Sequence, residues 1–297
     1  MRSQHHSMLI LRQKLFLYAD FVKFEHSIFA LPFALSATLL ATGPINWPHP
    51  LQLLWIIIAM IGGRTYAMGF NRLVDRHIDA KNPRTAVRAL PAGKMSLLEA
   101  WAMTLFSLGL MILATAQLPP LCMTLLPLAV LIMTIYSYFK RFSWLAHFVL
   151  GLALGCGAIG GWVGITGILP IRAMVWGLCI LFWVAGFDLI YACQDVDFDR
   201  QQGLFSVPAR FGIDTTLWLS RLCHVMTIIG MMAVGWKLGW VGAGYWIAVA
   251  LSAGLLAYEQ SLVRSNDLSR INEAFFLING LLSIAVFILI LSDRFLF

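Results

Sequence analysis

The sequence predicts an all-α polytopic membrane protein: nine transmembrane helices in a single bundle, with cytoplasmic loop helices. Three observations predict it. Hydrophobic residues make up 60% of the chain and charged residues 12%, with mean hydropathy +0.81, whereas a soluble domain carries about 25% charged residues. Apolar runs recur at the ~20-residue length that crosses a hydrocarbon core. Basic residues collect in alternate loops between those runs.

The chain opens with scattered charges (Arg2, Arg12, Lys14, Asp20) and no long apolar run, so no cleavable signal is read there. Leu9 to Lys23 reads as an amphipathic helix on the membrane surface. Residues 1–23 are thus expected as a cytoplasmic amphipathic segment and 24–297 as one transmembrane domain. The spans fall at 24–43, 51–72, 96–116, 119–138, 144–167, 171–193, 215–235, 240–262 and 272–292. Gly43-Pro44 with Pro48 and Pro50, Pro91 with Gly93, Pro119-Pro120 and Leu169-Pro170 punctuate them.

Orientation follows from the bases. The loops after spans 2, 4, 6 and 8 hold Arg72, Arg76, Lys81, Arg84, Arg88, Lys94, Lys140, Arg141, Arg200, Arg210, Arg264 and Arg270, whereas the other loops hold Arg172 and Lys237. That asymmetry places the N-terminus in the cytoplasm and the C-terminus outside. It also explains the net charge of +7 without nucleic acid. Cys122, Cys156, Cys179, Cys193 and Cys223 sit apart in apolar stretches and read as small buried hydrophobes rather than a disulfide or zinc framework.

Six of the fourteen acidic residues concentrate in two clusters. Asn71, Asp75 and Asp79 are four apart, which stacks them on one helix face at the end of span 2. Like charges at that spacing repel, and a divalent cation would relieve them. Carboxylate oxygens together with a diphosphate suit Mg2+. Asp195 and Asp199 share a face after span 6, and Asp188 lies two turns earlier on the same stripe. An ionisable residue within a span is expensive and marks a functional site by default. Asp197 points off that stripe unless the helix unwinds. Solvated helix ends would explain one such cluster, but two on the same side of the membrane favour a site.

A phosphorylated substrate also needs bases. Lys81, Arg84, Arg88, Lys140 and Arg141 are candidates, although each alone is explained by topology. Arg64 is within span 2, seven residues before Asn71 and about 10 Å deeper by helix rise.

At these residues the chain resembles the UbiA superfamily of intramembrane prenyltransferases. Asn71 to Asp79 is similar to that family's first motif, N-x-x-x-D-x-x-x-D, with Arg72 where many members have Asp. Arg84-Thr85, Arg88, Leu90-Pro91 and Gly93 resemble the stretch that follows it. Tyr136 with Lys140-Arg141 resembles the end of the fourth helix. Tyr191-Ala192, Asp195, Asp199, Gly203, Ser206 and Phe211-Gly212 resemble the second motif and its tail.

The resemblance is nearest to the 4-hydroxybenzoate polyprenyltransferase type. It implies transfer of a polyprenyl group from polyprenyl diphosphate to an aromatic acid, for ubiquinone. Lys23 to Ser27 departs from the type and leaves a dihydroxynaphthoate acceptor, for menaquinone, as the alternative. Asn71, Asp75, Asp79, Asp195 and Asp199 would hold Mg2+. Arg64, Lys81, Arg84, Arg88, Lys140 and Arg141 would contact phosphate, and Lys23, His26 or Arg64 the aromatic carboxylate. Asp188 or Asp195 would draw the phenol proton. Tyr136, Tyr138, Trp144, Trp162 and Tyr191 are candidate walls for an allylic cation. No protein partner is implied. From other classes, a cation-coupled transporter or a structural membrane protein remains, and diphosphate release separates them from an enzyme.

Overall fold

The structure, a computed structural model, describes residue 14, residues 16–23 and residues 27–295. His26 and the first residues of the span read at 24–43 lie outside these. The described residues are helical, without strands.

α1, Ser27–Ala41, has 15 residues. α2, Pro50–Lys81, starts on His49 and Pro50 and runs for 32 residues, so the first acidic motif continues the helix beyond the expected span end. α3, Leu97–Thr115, opens on a capping box in which Ser96 and Glu99 satisfy each other's backbone. α4, Pro120–Phe139, begins at the Pro pair. α5, Ala146–Thr166, ends on Gly167 in the left-handed region.

α6, Ile171–Ala192, is the most enclosed long helix. A 3-10 turn, Cys193–Asp195, joins it to α7, Val196–Gln202, so the second motif also ends a 32-residue helical run. α8, Val207–Phe211, and α9, Ile213–Leu238, follow. α10, Ala243–Leu262, precedes a π-helical segment, Glu273–Ile278, which passes into α11, Asn279–Ser292.

Among the described residues, seven helices are long and apolar enough to cross a membrane, rather than nine. Of the remaining expected spans, α1 is short. α10 has the length, but Tyr245, Ser252, Tyr258, Glu259 and Gln260 dilute its apolar content.

The helices pack as a bundle: α2 on α3 and α4, α4 on α5, α5 on α6, α6 on α9, α9 on α10, and α11 back onto α1. The α5–α6 crossing is set by small residues. A Cβ at Gly155 would come within 2.5 Å of the Gly177 carbonyl oxygen, and one at Gly151 would strike that of Leu181. Glycines allow this backbone approach, which substitutes for hydrophobic drive in lipid. Before α1, Phe21 and Val22 pack on Leu73, Ala89, Met95 and Ala100, while Lys14 and Tyr18 reach Glu99. This segment clamps the motif end of α2 and α3.

Candidate functional site

α2 carries the first half of the site. Asp75 is buried and takes Lys140 Nζ at 2.6 Å on Oδ2 and Arg141 at 2.9 Å on Oδ1. Asn71 donates Nδ2 to Asp75 Oδ2 at 3.1 Å, as the four-residue spacing predicts. Arg141 also reaches the carbonyls of Ser137 and Val74, tying the end of α4 to α2. One turn on, Asp79 takes Arg88 at 2.7 Å on Oδ1. Its Oδ2 is buried with no hydrogen-bond partner, 3.9 Å from an Arg72 nitrogen. Arg72, read from sequence as a loop base and a departure from the family motif, is buried beside this carboxylate.

The second half comes from α6 and α7. Arg84 holds Asp195 by two nitrogens, Nε at 3.1 Å and a terminal nitrogen at 2.5 Å. Asn82 adds a bond to Asp195 at 3.1 Å, so the segment after the first motif docks on the second. Arg84 also donates to the Tyr191 hydroxyl and lies 5.4 Å from its ring centroid. Burial pulls the Arg84 guanidinium down, but its hydrogen bonds and charge contacts with Asp195, Tyr191 and Asp79 outweigh this, and its pKa stands above the usual arginine value. Tyr191 is stacked on Phe275 of the π segment at 4.1 Å. Asp199 is half-buried, within electrostatic range of Lys140 and His147. Backbone from Phe205 to Lys140 closes this side of the mouth.

Several expected residues stand apart. Asp197 is exposed, off the stripe as its helix position predicts. Lys81 is exposed at the end of α2. Lys23 pairs with Asp20 at 2.5 Å and lines a small recess with Arg72 and Arg88. Trp162 is buried in the apolar core with Trp176 and Trp183, while Tyr138 and Trp144 are exposed, so none of the three lines the chamber described next.

Beneath the mouth is a cavity of about 280 Å³ between α2, α3, α4 and α5. Its wall is almost wholly apolar, with Ile56, Met60, Leu126 and Leu154 among the lining. Arg64 and Tyr136 supply its polar end. Tyr136 feels the charges of Asp75, Arg72, Asp188 and Arg64, which places all four near the junction of mouth and cavity. Asp188 accepts from His147 Nδ1 at 2.7 Å. Sequence reasoning missed His147, because one histidine on an apolar helix carries no spacing signal. It also missed Asn82, one residue beyond the last basic residue of α2.

Among the described residues no three acidic, histidine or cysteine side chains converge as a preformed metal cage. Asp75, Asp79 and Asp195 are held apart by different bases: Lys140 and Arg141, Arg88, and Arg84.

Fold and mouth define a class: an integral membrane protein that gathers acids and bases at one end of a helix bundle, above an apolar chamber. Residues 30–281 match the UbiA prenyltransferase family, and the chain belongs to it. It is similar to the 4-hydroxybenzoate octaprenyltransferase of Cupriavidus necator, 30% identical over 89% of this chain and 92% of that protein. The protein of the same name from Yersinia pseudotuberculosis is 31% identical over 74% of this chain and 76% of its own length. Among solved structures, the apo structure of a UbiA homolog from Aeropyrum pernix K1 is 33% identical, with a TM-score of 0.80 over 92% of this chain and 98% of that one. A UbiA homolog from Archaeoglobus fulgidus bound to DMAPP and Mg2+ shares the fold at 18% identity, with a TM-score of 0.74 over 94% of this chain and 99% of that one.

Proposed function

We propose that this chain catalyses magnesium-dependent transfer of a polyprenyl group from polyprenyl diphosphate to an aromatic acid, with 4-hydroxybenzoate as the acceptor. One observation carries the reading: a mouth of paired acids and bases stands over an apolar cavity, matching a diphosphate head and a hydrocarbon tail. The names of the two relatives above support the acceptor.

The donor set fits magnesium. Asn71, Asp75, Asp79, Asp195 and Asp199 offer only amide and carboxylate oxygens, and magnesium binds through one or two carboxylates plus substrate phosphates. Asp79 Oδ2, buried without a hydrogen bond, is an acceptor whose demand is unmet. Magnesium bound there would neutralise the diphosphate and stabilise it as leaving group. Lys140, Arg141, Arg88 and Arg84, which now hold these carboxylates, are placed to turn their donors to phosphate oxygens.

Arg64 and Tyr136 flank the reacting end of the chain. The carbon–oxygen bond breaks with its electron pair left on the diphosphate. A carbon–carbon bond forms beside the acceptor hydroxyl, and the ring carbon gives up its proton to the released diphosphate. Tyr136 offers a ring face to the allylic cation, and the apolar wall excludes water that would capture it. Of the two expected proton acceptors, Asp195 has both oxygens engaged by Arg84 and Asn82. Asp188 engages one oxygen with His147, and is therefore the residue to which we assign the acceptor hydroxyl. Arg64 takes the aromatic carboxylate.

In this reading the bundle crosses a bacterial inner membrane nine times, counting α1 and α10, with mouth and N-terminus cytoplasmic. The test supplies purified protein with magnesium, a labelled polyprenyl diphosphate, and 4-hydroxybenzoate or a dihydroxynaphthoate separately. Prenylated 4-hydroxybenzoate with magnesium-dependent diphosphate release is expected. Product with the naphthoate alone would reassign the acceptor. No transfer to either, or transfer that survives chelation, would defeat the proposal.

A further inference from the structure

His147 is a buried titratable group beside the site that the reaction as described leaves without a task. It lies in the first turn of α5, with Nδ1 2.7 Å from Asp188 Oδ2. Its side chain is 7% exposed against 22% for Asp188. Nε2 is buried and has no hydrogen-bond partner.

That geometry favours one hydrogen-bond arrangement. A proton on Nε2 would be buried with nothing to receive it. With its N–H on Nδ1, the ring donates to Asp188 and leaves only a lone pair unmet at Nε2. One Asp188 oxygen is then committed to His147, while the side chain as a whole keeps 22% exposure.

The placement follows from the fold. Gly151 and Gly155 let α5 meet α6 backbone to backbone, and the antiparallel register brings His147 level with Asp188. On α5, Leu150 and Leu154 line the chamber. His147 precedes them by three and seven residues, on the same helix face. On α6, Asp188 precedes Tyr191 and Asp195 on one stripe. The pair therefore sits where the apolar chamber meets the ionic mouth, within electrostatic reach of Tyr136 and Asp199.

We propose that His147 is a positioning residue for the aromatic acceptor: it fixes one oxygen of Asp188 and leaves the other to receive the acceptor hydroxyl. The inference rests on the prenyl-transfer reading above. A group that acts by orienting another should act on the acceptor half of the reaction and not on the donor half.

The test is steady-state kinetics of the full chain with 4-hydroxybenzoate and polyprenyl diphosphate, each KM determined separately. His147→Phe keeps a ring and removes the donor. It is expected to lower kcat/KM for the aromatic acid by roughly ten- to hundredfold, the range for losing an orienting partner. The KM for the prenyl diphosphate should stay within about twofold. His147→Asn and His147→Gln return an amide donor at one or other ring-nitrogen position, and at least one should recover most of the loss. Should His147→Phe fail to accumulate, His147→Leu serves in its place. Unchanged acceptor kinetics in the donor-free variant, two amide variants as defective as it is, or a prenyl diphosphate KM that rises in step would each overturn the proposal. Failure of the underlying reading shows separately, as a wild-type protein that prenylates no aromatic acid.

Discussion

Asp75→Asn separates the tasks packed into the mouth. Asp75 is 2% exposed and receives Lys140, Arg141 and Asn71 at 2.6, 2.9 and 3.1 Å. Asparagine keeps the shape and removes the charge. Hydrogen bonds to charged groups contribute about 1.5–3 kcal/mol each. Lys140 and Arg141 are each 31% exposed, so water recovers part of that, and a net destabilisation of ~2 kcal/mol is expected. Transfer should suffer more. A Lewis-acid metal contributes several kcal/mol to the transition state, and each ~1.4 kcal/mol is tenfold in rate. A fall in kcat of roughly a thousandfold follows. Binding without magnesium should move the other way. Two bases released from their carboxylate are free to hold phosphate, so affinity for the prenyl diphosphate in chelator should rise, by about tenfold. Calorimetric titration with and without magnesium, beside turnover, reads both quantities. A variant that keeps wild-type turnover, or that loses metal-free binding together with turnover while still folded, would refute the assignment of Asp75 as ligand and counter-ion.

Arg84→Lys keeps the charge but loses the two-nitrogen grip on Asp195 and the contact with Tyr191. We predict a fall in kcat/KM of roughly tenfold, less than for Arg84→Ala, read in the transfer assay. Gly155→Val forces α5 from α6 at the Gly177 carbonyl and should destabilise the protein by about 3 kcal/mol or prevent its accumulation, seen by thermal unfolding in detergent. Asp293 accepts from the backbone nitrogens of Gly242, Gly244 and Tyr245 at 3.0, 2.7 and 3.0 Å, capping α10 far along the chain from either motif. Asp293→Ala should cost about 2 kcal/mol and lower Tm by roughly 5 °C, with the KM for prenyl diphosphate unchanged. A reporter fused after Phe297 should report an extracytoplasmic C-terminus; a cytoplasmic signal would reverse the topology.

The helices were legible because bilayer thickness imposes one length on apolar runs, and the breaks at Pro119-Pro120 and Leu169-Pro170 fall at real helix starts. The ends were less so. Hydropathy stops α2 near Arg72, but the backbone continues through Asp79 to Lys81. Motif spacing, rather than hydropathy, gave that continuation, since four-residue steps make sense only on a helix. The Asn71–Asp75 bond bears that spacing out. The partner of each acid was not legible. Arg84 with Asp195 and Arg141 with Asp75 are separated by 111 and 66 residues, and nothing local links them. His147 illustrates the same limit: only the α5–α6 crossing gives it Asp188.

Both motifs end helical runs of 32 residues, Pro50–Lys81 and Ile171–Gln202. At 1.5 Å per residue such a run is about 48 Å long, and a bilayer core of about 30 Å takes roughly 20 residues of it. The remaining turns project past the hydrocarbon, and Asn71, Asp75, Asp79, Asp195 and Asp199 lie on them. A carboxylate kept within the core would be neutralised or would need a permanent partner. One placed on a separate loop would lose the fixed spacing that a metal bridge requires. Continuing the spanning helix avoids both: bases from the neighbouring segments reach Asp75 and Asp79 there, while Arg64, lower on the same helix, reaches the dry chamber. In the proposed reading, a metal and a diphosphate would replace those contacts. In that reading one rigid element addresses the charged head and the apolar tail of the same substrate, and a flexible insertion between Arg64 and Asn71 should uncouple diphosphate binding from transfer.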